Sequence, residues 1–265
     1  MNGTPVASLA ATVSPRVRAP VKTITPPPFI VGAEWVNVAT LRMDKQLGKT
    51  VLIEFFDFCR VSSLRTLPYI KQWHEKYEAD GLRVISVHCP GYPPSQDPEA
   101  VKEAIKRLGI EHPVCLDQDF ELWRRWENQG WPARYLMTPK LRLFEYHYGE
   151  GDYVGTEKAI QELLQVEREL VAPIHPEDDP EKKIVVPTPE QQGAYSGPYE
   201  AGEVWAVVDG EGELVVNGHA IEVSAPGAIR LIDHGVHTQS VLKLEPSDGV
   251  TVHATCFTPG IAPVL

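Results

Sequence analysis

Residues 55–77 read FFDFCRVSSLRTLPYIKQWHEKY and predict a strand that passes directly into a helix. The strand begins within the apolar, β-branched run TVLIEFF at positions 50–56. The helix is predicted over LRTLPYIKQWHEKYEAD at positions 64–80. A short apolar run of this kind is typical of a strand that is buried on both faces of a parallel sheet.

The same strand–helix order recurs further along the chain. The run LRVISVH at 82–88 predicts a second buried strand, and DPEAVKEAIKRLG at 97–109 predicts a helix that Asp97 caps and Pro98 begins. A further helix, TEKAIQELLQVERELV at 156–171, closes this part of the chain. Alternation of strands and helices predicts an α/β layer structure.

The chain divides into four segments by composition. Residues 1–28 end in consecutive prolines, which enforce extended backbone. They are predicted to form an N-terminal arm. Residues 29–170 carry the strand–helix alternation, and residues 171–190, rich in proline and charge, are typical of a linker. In residues 191–265, short strands and the turn pairs Asp-Gly and Asn-Gly predict hairpins in a β-sandwich or jelly roll.

Composition and charge exclude several functions. The net charge is −11, whereas proteins that neutralise phosphates present clustered Lys and Arg, so we expect no nucleic-acid partner. No run approaches the ~18 apolar residues of a membrane helix, and the first residues contain no apolar segment of the length that a secretory signal needs. We therefore expect a cytoplasmic protein without a membrane partner. No cofactor is predicted, and the sequence leaves the oligomeric state open.

The four cysteines are too sparse for a disulfide framework. They are Cys59, Cys89, Cys115 and Cys256, and no two of them are closely spaced. Reduced thiols are the default expectation.

Several stretches together carry a family signature. They are GKTVLIEFFDF, LRTLPYIKQWHEKY, VISVHCP, WENQGWPARYLM and YGEGDYVGTEKAIQELL. With them, residues 29–170 resemble the thioredoxin-like domain of the TlpA and DipZ type. The C-terminal half resembles the carbohydrate-binding-module-like β-sandwich that follows in DipZ proteins. The resemblance implies an α/β thioredoxin-like fold plus a C-terminal all-β sandwich, in a protein related to thiol-disulfide oxidoreductases.

The paired cysteines of that family are absent. In the family, a helix proline stands five residues after the second cysteine of CxxC, and Pro68 is that proline here. Counting back places Ser63 at the second cysteine and Arg60 at the first, so that CINCLRTLPY becomes RVSSLRTLPY. Cys59 lies one residue too early. Since disulfide exchange needs an attacking thiolate and a resolving thiol, ordinary thioredoxin reduction by this motif is excluded.

A second departure follows the second strand. DipZ-like sequences usually continue with Thr-Pro-Glu, whereas this chain reads HCPGYPP, with Cys89 for the threonine and Gly91 for the acid. The acid is missing where proton transfer during thiol exchange would use one. This change fits drift away from the ancestral reaction and a rebuilt reaction equally well.

Three thiols are candidates for atypical redox chemistry. Cys59 lies where a strand turns into a helix, so the helix dipole and Arg60 favour its thiolate, and we predict it to be catalytic. The plain alternative is a buried, inert cysteine. If the resemblance holds, Cys89 ends the neighbouring strand ~4.8 Å away and Cys115 approaches the same edge from a short extra strand. Both are therefore predicted catalytic partners.

The same sulfurs offer a soft-metal site as an alternative. Further ligands would come from Asp57, His88 or His112. Spacings of 26 and 30 residues between the cysteines are not those of a metal finger. No metal is therefore predicted, and separate buried thiols are the plain alternative.

A non-catalytic binding role is the competing hypothesis. Trp131 and Pro132 match the pair at which this fold carries a cis-proline, whose loop faces an extended partner chain. Aromatic side chains such as Phe58 and Tyr92 would border that groove. The partner would be a thiol-containing protein or a small molecule, and the predicted binding residues are Arg60, Ser63, Trp131 and Pro132. The plain alternative is that Trp131 only covers the end of the sheet.

Overall fold

The computed structural model describes residues 17–18 and 24–263. They form two compact units that divide between Ile174 and His175. Most of the predicted N-terminal arm, residues 1–28, lies outside the described residues. No helix in the described part of the chain is long and apolar enough to cross a membrane.

The first unit is a mixed sheet with four α-helices in its described residues. The strands lie in the order β1-β7-β6-β3-β4-β5-β2, in which β3, β4 and β5 are parallel and the other neighbours antiparallel. The strands are β1 (Val17–Arg18), β2 (Glu34–Val36), β3 (Thr50–Phe56), β4 (Leu82–His88), β5 (Val114–Leu116), β6 (Ala133–Met137) and β7 (Leu143–Tyr148). The helices are α1 (Val61–Tyr77), α2 (Pro98–Arg107), α3 (Glu121–Arg125) and α4 (Tyr153–Leu164).

The central strand β3 is buried along its whole length, as its apolar run predicts. Alternate side chains enter two cores. Ile53 and Phe55 pack in a core rich in aromatic rings, whereas Leu52 packs in a second core with Ile70 and Trp73 of α1. The predicted α/β layer structure is confirmed.

Two helix boundaries differ from the prediction. Helix α1 begins at Val61, earlier than the predicted 64–80, and contains Pro68. The prediction of helix through residue 171 is wrong, because α4 ends at Leu164 and Gln165 takes a left-handed conformation with φ of 57°. The side chain of Gln161 then accepts a hydrogen bond from the Arg168 N–H at 3.1 Å, which holds the chain in its non-helical path.

The second unit is the β-sandwich that the resemblance implies. One sheet has the order β13-β10-β15-β9 and the other β12-β11-β14, with β8 and β16 paired separately. Apolar side chains from both sheets share one core. The strands are β8 (Ile184–Val185), β9 (Gln191–Gln192), β10 (Gly197–Gly210), β11 (Gly212–Val216), β12 (His219–Val223), β13 (Gly227–Leu242), β14 (Leu244–Pro246), β15 (Val250–Phe257) and β16 (Gly260–Ile261).

One of the two predicted hairpins forms. Asn217 and Gly218 join β11 to β12 with positive φ values of 48° and 86°. The pair Asp209-Gly210 does not make a hairpin, because β10 and β11 belong to different sheets. Gly210 instead passes so close to Gly249 that an added Cβ would lie 2.1 Å from its carbonyl oxygen. The chain crosses between the sheets at this point.

Candidate functional site

The candidate site lies at the turn between β3 and α1. The Arg60 N–H donates to the Asp57 carbonyl at 3.0 Å, and Arg60 is the N-cap residue of α1. Arg60 and Ser63 therefore stand in the first turn of the helix, where the resemblance puts the family's two cysteines.

The buried carboxylate of Asp57 joins two loops. Its Oδ1 accepts the Cys59 N–H at 2.9 Å, and its Oδ2 accepts the Gly91 N–H at 2.8 Å. His88 Nε2 lies 3.5 Å from the same Oδ1. Because Cys59 follows β3 and Gly91 follows β4, the loops after these two strands are fixed to each other.

The guanidinium of Arg60 lies against two aromatic rings. Its Cζ is 4.5 Å from the centroid of Tyr92 and 5.0 Å from that of Trp131. Such contacts stabilise a cation by about 0.5–1 kcal/mol at exposed sites and by more when water is excluded. All three side chains are half-buried. Trp131 also contacts Trp123, with ring centroids 4.3 Å apart. The surface of the candidate site therefore consists of the Arg60 guanidinium in contact with aromatic rings.

The loop at Trp131 has the conformation that the resemblance implies. The Trp131–Pro132 peptide bond is cis. The Trp131 carbonyl accepts a hydrogen bond from Ser62 Oγ at 3.3 Å, and its indole Nε1 donates to the Cys89 carbonyl at 3.0 Å. The Trp131 backbone N–H makes no hydrogen bond within the described residues. This N–H can donate to an added chain.

The three predicted catalytic thiols are enclosed in the protein. Cys59, Cys89 and Cys115 are buried, and none is in a disulfide. Burial, reinforced by Asp117, raises the pKa of the Cys89 thiol well above its usual range, and Cys89 Sγ donates to Asp117 Oδ2 at 3.3 Å. Burial likewise raises the pKa of Cys115 to about 12. Cys89 and Cys115 are therefore protonated at neutral pH, which disfavours the thiolate that disulfide exchange needs.

The soft-metal alternative gains no support. Within the described ranges, no three His, Cys, Asp or Glu side chains are grouped so that they could hold a metal ion. Asp57 is engaged with backbone N–H groups, and His112 with Ser86 at 2.8 Å.

The predicted binding residues divide into two groups. Arg60, Trp131 and Pro132 are brought together around the loop. Ser63, in contrast, is fully buried, and its Oγ accepts the Asp57 N–H at 3.3 Å. We therefore correct its predicted role, because its side chain faces the inside of the turn and not a ligand.

Sequence reasoning missed the loop-joining role of Asp57 and the part played by Ser62. A signal for the first was present, since Asp57 directly follows a fully apolar strand end, and a carboxylate there must find N–H donors. No local pattern indicated that Ser62 contacts Trp131.

Comparisons with known proteins agree with the fold. No protein-family model matches the chain. DipZ of Mycobacterium tuberculosis is 36% identical over 117 residues, which are 44% of this chain but 17% of DipZ. Thiol-disulfide oxidoreductase YkuV of Bacillus subtilis is 27% identical over 140 residues, which are 52% of this chain and 94% of YkuV. A crystal structure of a thioredoxin-like superfamily protein superposes with a TM-score of 0.50 at 20% identity, covering 56% of this chain and all of that one.

The first unit thus has the thioredoxin-like fold. It is homologous to DipZ and to the thiol-disulfide oxidoreductase YkuV, so the predicted resemblance is confirmed.

Proposed function

We propose that the first unit is a thioredoxin-superfamily binding module, which holds an extended polypeptide at the Trp131–Pro132 loop without exchanging disulfides. The observation that carries the proposal is the Trp131 backbone, whose N–H has no hydrogen-bond partner in the described chain beside the cis-proline.

The loop suits the addition of an extended chain. In this mode of recognition, main-chain hydrogen bonds supply affinity and neighbouring side-chain pockets supply specificity. The Trp131 N–H would donate the main-chain bond, and the rings of Tyr92 and Trp131 would border the bound segment. The Ser62 contact to the Trp131 carbonyl supports the loop from the side of α1.

The absence of thiol exchange rests on two observations. Arg60 stands at the first turn of α1, where the resemblance puts the reactive thiol, and a guanidinium is no nucleophile for a disulfide. The nearest thiol, Cys59, is fully buried. A redox activity through Cys59 would need the turn between β3 and α1 to open, and Asp57 holds that turn closed. The predicted cytoplasmic location stays a prediction.

Binding can be tested with an unfolded chain that carries no thiol. Reduced, carboxymethylated α-lactalbumin is titrated into the ¹⁵N-labelled protein, and the Trp131 backbone N–H is expected to shift. Trp131→Ala should weaken the binding about tenfold, since a central tryptophan carries much of an interface's energy. Trp205→Ala, in the second unit, is the matched control and should bind like wild type. Equal affinity of the Trp131→Ala and wild-type proteins would contradict the proposal.

Thiol chemistry is tested separately on the native protein. A chromogenic disulfide at pH 7 should label Cys59, Cys89 and Cys115 only slowly, and urea should expose all four thiols of the chain. Rapid labelling that Cys59→Ser abolishes, together with reduction of insulin, would instead establish a thiol-dependent oxidoreductase.

A further inference from the structure

We infer that Gly91 is a positioning residue of the proposed groove, because the lack of a side chain at this position lets Arg60 lie against Tyr92 and Trp131. The effect on Arg60 follows from the geometry of the site alone. The effect on binding rests on the proposed function.

The space at Gly91 is filled by other residues. A Cβ added there would lie 2.7 Å from Arg60 Nε, 2.8 Å from Asp57 Oδ2 and 3.3 Å from Arg60 Nη2. Contacts under 3.0 Å force one of the atoms to move. Gly91 does not have a positive φ, so the backbone conformation itself admits any residue. The requirement for glycine is therefore one of space.

Both neighbours must give way to an added Cβ, and Arg60 is the one that can move far. The Asp57 carboxylate is fully buried and fixed by the N–H groups of Cys59 and Gly91. The Arg60 side chain is half-buried and ends in several rotatable bonds. A side chain at position 91 thus displaces the guanidinium from the two rings.

That displacement changes the surface of the groove. Arg60 packs against Trp131, whose backbone N–H is the proposed donor to the bound chain. Displacement of Arg60 removes one contact that holds the Trp131 ring. It also leaves the first turn of α1 uncovered. A substitution of Gly91 therefore acts on the groove through Arg60.

The direct test observes Arg60 by NMR. The Arg60 Nε–H resonance of wild type should be displaced upfield by the ring currents of Tyr92 and Trp131, and Gly91→Ala should remove that displacement. Gly130→Ala is the matched control, because Gly130 precedes Trp131, has no atom within 4 Å of an added Cβ and has no positive φ. An unchanged Arg60 resonance in Gly91→Ala would overturn the inference.

A double-mutant cycle tests the coupling. With carboxymethylated α-lactalbumin as the probe, Gly91→Ala should weaken binding about tenfold, equivalent to about 1.4 kcal/mol, and Gly130→Ala should not. In an Arg60→Ala background, adding Gly91→Ala should change the affinity less, since the contact with Arg60 is gone and only the contact with Asp57 remains. Equal losses in both backgrounds would overturn the inference.

The two proposals fail in different ways. If the probe does not bind wild type, the proposed function is overturned. The role of Gly91 is then still decided by the Arg60 resonance and by the same double-mutant cycle, measured on the free energy of unfolding.

Discussion

Arg60 and Arg134 of the first unit both lie against aromatic rings, in very different surroundings. Arg60 is half-buried at the start of α1, beside Tyr92 and Trp131. Arg134, on β6, is fully buried, with its Cζ 5.0 Å from the centroid of Tyr153 and 6.0 Å from that of Trp73. The first can meet a partner molecule, whereas the second can act only through the fold.

The carboxylates near these arginines are both fully buried, but they differ in their partners. Asp57 binds backbone N–H groups of two loops, whereas Glu54 faces Arg134 across β3 and β6. Burial raises the pKa of Glu54 to about 8, and its Oε2 accepts a bond from Ser86 Oγ at 3.1 Å. Glu54 is therefore mostly neutral at pH 7. The comparison teaches that burial decides whether an arginine serves the edge of the site or the interior of the sheet, whereas the available partners decide the role of a buried carboxylate.

The largest effect is expected for Arg134. Arg134→Ala should lower the free energy of unfolding by about 3 kcal/mol, because it leaves a cavity between Trp73 and Tyr153 and leaves the Gly151 carbonyl without the donor Nη2. Arg60→Ala should cost about 1 kcal/mol, the size of an exposed cation–π contact. Urea unfolding followed by tryptophan fluorescence measures both. Equal losses for the two variants would remove the distinction between rim and interior.

An intermediate effect is expected in the pH dependence of stability. The folded pKa of Glu54, about 8, lies above its ordinary value of 4.5. The folded state then keeps a proton that the unfolded state releases, so this contribution to stability is complete below pH 4.5 and lost as pH rises to 8. Between pH 6.5 and 8 the loss is on the order of 2 kcal/mol.

Glu54→Gln should flatten this slope, and unfolding in urea at several pH values measures it. The measurements stay above pH 6.5 so that His112 does not contribute to the slope. Burial lowers the pKa of His112 to about 3, so its contribution to stability is lost only as pH falls below 6.5. Glu103→Gln, on the exposed side of α2, is the control and should keep the wild-type slope. A wild-type slope in Glu54→Gln would show that Glu54 is ionised in the fold.

The smallest effect on stability is expected when cysteines replace Arg60 and Ser63. Positions three apart in the first turn of a helix are neighbours, so the Arg60→Cys, Ser63→Cys protein should form a disulfide between them. Its reduced form should be about 1 kcal/mol less stable than wild type, the loss expected for Arg60→Ala, because Arg60 no longer lies against Tyr92 and Trp131. After oxidation and denaturation, only the four native thiols should react. Six reactive thiols would mean that these positions do not correspond to the family's cysteine pair.

Much of the first unit could be predicted from local pattern. The runs at 50–56 and 82–88 give β3 and β4 with these bounds, and Asp97 caps α2 by accepting the Glu99 N–H at 3.0 Å. Such features depend on residues that are close in sequence. The cis bond before Pro132 followed from the resemblance.

The surroundings of the site could not be predicted in this way. Cys59 is buried and Arg60 half-buried although they are adjacent, and the residues that border Arg60 come from the distant loops at positions 91 and 131. The periodicity of a sequence indicates which side chains are buried, but it does not indicate which distant loop covers them. The same limit applies to Asp209-Gly210, whose turn signal is local while its strands belong to different sheets.

The double hold of Asp57 on Cys59 and Gly91 has a kinetic consequence. Since the rim is assembled before any chain arrives, little ordering remains to be done at the moment of encounter. Association with an unfolded chain should then proceed in a single phase, with a rate that rises linearly with concentration and shows no plateau from a slow opening step.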